Sequence, residues 1–265
     1  MEVASPPSTS SAKTVINPQP HKYMHNNLPK FNHKLARAVS QGFSVVLEQA
    51  EPAPCEACSS GPRLNFGSVF THQYSTAFLQ FKPADGVRSI LLIVDFSGSM
   101  AAMWTLGGAE FVWGLVMLAR QGAINLKVFL TGQVAPAEMP VSISFRQFCS
   151  LWPYHSEEGF RRTLNHPEVA PHVDDSDIVL CWTDGQLTDG HVNAVEWRAK
   201  GVHLIGACLG KPDMPSWTEH GNTTLDKAMR MHFHSGLMNM DAAKLATLVG
   251  THIINIAPRE LRENA

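Results

Sequence analysis

The stretch Ser89-Ile90-Leu91-Leu92-Ile93-Val94-Asp95-Phe96-Ser97-Gly98-Ser99-Met100 decides how this chain is read. The apolar run from Ile90 to Val94 has the form of a buried parallel strand, which is continuously hydrophobic because both of its faces are covered. It stops abruptly at Asp95, and Asp-x-Ser-Gly-Ser follows. That polar cluster falls at the carboxyl end of the strand, where open α/β sheets collect their ligand sites. One carboxylate and two hydroxyls at alternating positions of a tight, glycine-bearing turn converge on one point. The guest such a set suits is a hard divalent cation, which takes oxygen ligands and keeps some of its water.

A second stretch answers the first. Asp177-Ile178-Val179-Leu180-Cys181-Trp182 is another apolar run, and it ends in Thr183-Asp184-Gly185. Two strands of one sheet that both end in Asp bring their carboxylates to the same rim. A bare Asp-x-Ser-x-Ser is also what a helix cap and a hydroxyl-bonded turn look like. The second strand-end carboxylate favours the metal reading.

Around these two strands the pattern alternates. Residues 1–20 are rich in Ser, Pro and Thr and are expected to be disordered. Asn27-Leu28-Pro29 is read as the start of a helix running to about Ala50, with Phe31, Leu35, Ala38, Val39, Phe43 and Val46 at helical spacing. Cys55 to Pro62 is read as loop, and Tyr74 to Phe81 as the first arm of a hairpin that enters the Asp95 strand. Helices are expected over 104–120, 160–164, 192–200 and 242–249, with strands over 126–130 and 202–209 and a short strand or loop at 140–144. Residues 211–222 are read as loop. Met231 to Leu237 is read as the last strand, with His232 and His234 on one face. Strands alternating with helices predict an α/β protein with a Rossmann-like, doubly wound, mostly parallel sheet.

Together, Asp95-x-Ser97-x-Ser99 and the later Thr183-Asp184-Gly185 resemble the metal-ion-dependent adhesion site (MIDAS) of von Willebrand factor A (VWA) domains. The resemblance covers roughly residues 74–250. It divides the chain into a tail (1–20), a helical N-terminal extension and loop (21–69), a VWA domain (70–257) and a C-terminal tail (258–265). Within the superfamily the chain looks most like the cytosolic branch of cobaltochelatase subunits and proteins paired with MoxR-type AAA+ ATPases. The resemblance implies Mg²⁺ or Mn²⁺ held by Asp95, Ser97, Ser99 and Asp184. It also implies a further ligand from the loop before the second strand. The family's Gly-Gly-Thr is absent there, and Ser156 or Glu158 takes that place, with Glu157, Thr163 and Thr131 as alternatives. The implied function is a non-catalytic docking module whose open metal position accepts an acidic side chain of a partner, such as a MoxR-type ATPase or its client. A chelatase-type enzyme subunit and a metal-dependent hydrolase are the alternatives. Met100, Met103 and Trp104 are expected to form an apolar rim around the charged contact.

Bulk properties narrow the field. The 265 residues carry a net charge of −2, so no basic excess points to nucleic acid. No run of about 18 apolar residues predicts a membrane span, and the N-terminus lacks the basic start and apolar core of a signal peptide. Five cysteines, an odd number, argue against a disulfide framework, so a cytoplasmic protein is expected. Cys55 and Cys58 form half of a zinc motif at most, with His72 a conceivable third ligand. His155, His166 and His172 form no metal pattern, and Asp174, Asp175 and Asp177 read as a solvated turn. There is no P-loop and no nucleophile elbow.

Overall fold

The apolar runs become the middle of one sheet, and their side chains alternate between its two faces. In the computed structural model, Ile90, Leu92 and Val94 point into one core and Leu91 and Ile93 into the other. Ile178, Leu180 and Trp182 face the first core, and Val179 and Cys181 the second. Every one of these residues is buried, which is why the runs are apolar throughout rather than alternating. The structure describes residues 30–50, 55–58, 63–64, 78–81, 89–132, 135–187, 189–190, 192, 194–218 and 220–256.

Along the chain the elements are α1 (His33–Ala50), β1 (Cys55–Cys58), β2 (Arg63–Leu64), β3 (Phe78–Phe81), β4 (Ser89–Val94), α2 (Ala109–Arg120), β5 (Asn125–Leu130), β6 (Ala137–Glu138), α3 (Phe145–Phe148), α4 (Phe160–Leu164), α5 (Ala170–Asp174), β7 (Ile178–Trp182), α6 (Ala194–Ala199), β8 (His203–Cys208), β9 (Pro215–Thr218), β10 (Gly221–Thr224), α7 (Leu225–His232), β11 (Ser235–Met238) and α8 (Ala242–Ile254). The main sheet has the order β11-β8-β7-β4-β5-β6. Its pairs are parallel except β5–β6. Numbered by appearance within this sheet, that is the doubly wound order 3-2-1-4-5-6. The expected fold class is therefore observed: a mixed, mostly parallel sheet with helices on both faces.

Helices α1, α2, α3 and α8 cover the first face, and α4 to α7 the second. The apolar helical run Gly98–Arg120 has the length and composition of a membrane span, but 61% of its most apolar window is buried inside the fold. It is a core helix, kinked at Gly107, whose φ of 126° only glycine adopts comfortably. An aromatic chain crosses this layer. Phe145, Phe31, Phe148, Trp104 and Phe96 lie with successive ring centroids 5.0 to 6.2 Å apart. It ends inside the Asp95–Ser99 turn.

Several expectations are corrected. Helix α1 starts at His33 rather than near Asn27: Asn32 Oδ1 accepts the Leu35 N–H at 3.1 Å, so Asn32 is the cap. Asn27 to Pro29 lie outside the described residues. Phe31, Leu35, Ala36, Val39 and Phe43 pack into the first core, so the helix of the expected N-terminal extension lies against the main sheet's helices. Cys55–Cys58 is a strand, not loop, and β3 pairs antiparallel with β1 and β2 instead of with β4. Of the two forms expected for residues 140–144, short strand or loop, the structure has the loop, which leads into α3, capped reciprocally by Ser144 and Gln147; the edge strand is at Ala137–Glu138. The stretch read as loop over 211–222 holds the hairpin β9–β10, whose Trp217 and Asn222 are paired. Its β-forming Trp and Thr residues outweigh the glycine and prolines. Met231 and His232 end helix α7, and only 235–238 is strand, so His232 and His234 do not share a strand face. Buried Leu225, Ala228, Met229 and His232 follow the helical period, and that period wins over the short alternation.

Candidate metal centre

The strand order reverses between β4 and β7, and the crevice beyond their carboxyl ends is the ligand-binding switch point of doubly wound sheets. Val94 is paired with Trp182, so Asp95 and Thr183 leave the sheet side by side. The Asp95 N–H still donates to Trp182 O at 2.8 Å, and the Thr131 N–H to Val94 O at 2.9 Å. Sheet hydrogen bonding thus carries Asp95 to the rim before the chain turns.

Asp95 is fully buried. Its Oδ1 accepts the Ser97 N–H at 2.9 Å and its Oδ2 accepts the Thr183 hydroxyl at 2.9 Å. Ser97 Oγ and Ser99 Oγ stand 3.0 Å apart. Asp184 accepts the Gln186 N–H at 3.0 Å and a hydrogen bond from the Ser99 side chain. Thr131 Oγ1 accepts the Phe96 N–H at 2.9 Å, so the end of β5 also fixes the turn. The structure therefore joins Asp95, Ser97, Ser99 and Asp184 in one hydrogen-bonded group.

Burial pushes the Asp95 carboxyl up to about 7, and the neighbouring Asp184 adds to the effect. Burial raises Asp184 as well. Burial and then the two carboxylates, Asp184 before Asp95, push the Cys208 thiol upward. Two buried carboxylates side by side hold a proton unless a cation joins them. The donor set fits a small hard dication. Two adjacent oxygens of an octahedral Mg²⁺ at about 2.1 Å stand about 3 Å from each other, which is the spacing of the two serine hydroxyls. Among the described residues no three His, Cys, Asp or Glu side chains gather, so the remaining oxygens at this rim are hydroxyls.

The loop expected to supply a further ligand lies against the turn. Ser97 and His155 form a parallel bridge, the Gly98 N–H donates to His155 O at 2.8 Å, and the Tyr154 and His155 N–H groups donate to Phe96 O. Beyond them Glu158 is buried, while Ser156 and Glu157 are exposed. Glu157 pairs with Arg162 at 3.3 Å. Thr163 is buried inside α4, with its N–H on Gly159 O. Burial lowers the affinity of His155 for its proton.

Thr183 belongs to the second motif but is given no role by the sequence. Its hydroxyl donates to Asp95 and accepts the Gly185 N–H at 3.1 Å, joining the two motifs directly. The signal was its place, one residue past the second apolar run. Met100 and Trp104 do not form an exposed rim: they are 0% and 5% exposed and belong to the core. The exposed aromatic beside the turn is Tyr154. Asp177 is not simply solvated, since its Oδ2 accepts the Ser89 N–H at 2.9 Å and ties β7 to β4. Cys181 and Cys208 are buried in strands, as expected. The Cys55 and Cys58 side chains and His72 lie outside the described residues.

No family model matches the chain, and no curated protein matches it significantly. Among solved structures the chain is similar to the crystal structure of an aerotolerance-related membrane protein from Bacteroides fragilis NCTC 9343 with multiple mutations to serines. The identity is 18%, the coverage 64% of this chain and 99% of that one, and the TM-score 0.40. A likeness at that level carries no argument about function.

Proposed function

We propose that this protein is a VWA-like, Mg²⁺-dependent protein-docking module. The observation that carries the reading is the hydrogen-bonded group of Asp95, Ser97, Ser99 and Asp184 at the switch point of the sheet. In this reading those four residues hold Mg²⁺ or Mn²⁺, and of the two loop candidates exposed Ser156, rather than buried Glu158, supplies the further oxygen, because no third carboxylate gathers with Asp95 and Asp184 among the described residues. Two carboxylates do not complete the shell of such an ion, and it keeps exchangeable positions. When bound, the ion offers one of them to a carboxylate of another protein. This chain's own residues fix the ion's position through the Asp95–Thr183 bond and the Thr131–Phe96 bond. The exposed Gly98 and Ser99 leave the approach open. A MoxR-type AAA+ ATPase or its client is the partner the motif resemblance suggests.

Isothermal titration with Mg²⁺ and Mn²⁺ tests this reading. Wild type takes up one ion and Asp95→Ala takes up none. Equal uptake by both proteins means the site is elsewhere. Co-purification with and without a chelator then tests whether a partner depends on the ion.

A further inference from the structure

Away from the metal centre, an open groove runs between α1, α2 and α3. It is lined by His33, Ala36, Arg37, Trp113, Met117 and Phe145 and has a volume of about 310 Å³. Its floor is apolar and its lip is basic. His33, Lys34 and Arg37 are exposed on the first turns of α1, Lys30 precedes them, and exposed Arg146 adjoins Phe145. Among the described residues Lys30, Lys34, Arg37 and Arg146 make no ion pair. The acid close to this end of α1, Glu110, is buried and its Oε1 takes the Asn32 N–H at 2.7 Å. In a chain with net charge −2, a row of exposed cations along an apolar slot is a local inversion of charge.

We propose that this groove binds an acidic peptide segment of a partner protein, with one apolar side chain seated on the half-buried Met117 and Phe145 and its carboxylates on Lys30, Lys34 and Arg37. Charge complementarity selects an acidic ligand. The span from His33 to Arg37 is about 6 Å of helix axis, and Lys30 lies beyond it, so the row suits several carboxylates rather than one. The concave, recessed floor selects a peptide over a bilayer: Trp113 is 6% exposed and cannot reach into a flat lipid surface. Nucleic acid is disfavoured because the Trp113 ring is already taken. The Arg120 guanidinium stacks 4.8 Å from its centroid, and Phe145 and Phe148 pack against it at 5.3 and 4.8 Å. That ring offers a base no free face to stack on.

The test is fluorescence anisotropy of the full chain with a labelled ten-residue peptide bearing four glutamates around a central Leu-Phe pair, in EDTA. Three comparison probes are the same peptide with glutamines for the glutamates, the same peptide with an Ala-Ala centre, and a ten-nucleotide oligo-dT. Sedimentation with phosphatidylserine-containing vesicles adds a membrane arm. The acidic Leu-Phe peptide is expected to bind, and Lys34→Glu/Arg37→Glu, both on the surface, to weaken it at least tenfold without changing the circular dichroism spectrum. Glutamine and Ala-Ala peptides bind at least tenfold more weakly than the parent. Asp95→Ala leaves binding unchanged, which separates this groove from the metal centre. No binding of the acidic peptide overturns the proposal, as does equal binding by the charge-reversed variant. Preferential binding of oligo-dT or vesicles, or a self-association that the charge reversal abolishes, assigns the groove to another occupant and overturns it too.

Discussion

Asp95 and Asp184 set the behaviour of the metal-free protein. The Asp95 carboxyl has an ordinary value of 3.8 and is raised to about 7 in the fold, by burial first and by Asp184 second. Below about pH 4 the acid is protonated in both the folded and the unfolded chain. Between about pH 4 and 7 the unfolded chain releases a proton that the folded chain keeps, so folding grows weaker as pH rises. Above about 7 the loss is complete. Thermal scans in EDTA should therefore show wild type falling relative to Asp95→Asn across that window, and excess Mg²⁺ should reverse the fall in wild type only. Thr183 can be tested separately. Thr183→Val leaves Asp95 Oδ2 without a donor and the Gly185 N–H without an acceptor. The expected loss is about 1–3 kcal/mol in urea unfolding, with Thr183→Ser recovering most of it.

Among the elements, α1 is the one whose place depends on a missing side chain. A Cβ on Gly114 of α2 would lie 2.4 Å from Val39 Cγ1 and 3.2 Å from Ala36 O, so the two helices touch backbone to backbone. Gly114→Ala gains up to about 1 kcal/mol of helix propensity. Overpacking against a backbone carbonyl costs about 1–3 kcal/mol. The clash wins, and a net destabilisation of about 1–2 kcal/mol is expected by urea unfolding, smaller in the Val39→Ala background. The elements also mark what the sequence told and what it did not. β4 and β7 were legible because both faces of each strand are buried, which leaves an unbroken apolar run. The start of α8 was legible because Asp241 accepts the Ala243 and Lys244 N–H groups. β9, β10 and the end of α7 were not, because their stretches carry mixed signals that only packing resolves: Gly236 sits where a Cβ would meet Met229 at 2.6 Å, seating β11 against α7.

At the scale of the molecule, the strand order brings together what the sequence keeps 89 residues apart in Asp95 and Asp184. The two carboxylates were legible as a site because each ends an apolar run. Thr131 and Thr183 were legible only as a possible ligand and as part of the second motif; their bonds to the Phe96 N–H and to Asp95 depend on which strand ends lie side by side in the sheet. The loop bearing Ser156 and Glu158 is held by backbone bonds to Phe96 and Gly98, which no side-chain motif announces. The aromatic chain that ends at Phe96 has a practical corollary. Trp104 stands edge-on to Phe96 at 5.7 Å, between the core and the turn that carries Ser97. The indole is a built-in optical gauge: its emission should change on Mg²⁺ addition with the same midpoint as the heat of binding, and Trp104→Phe should reduce the signal, leaving the share of Trp182 at the same rim, while keeping the heat in place.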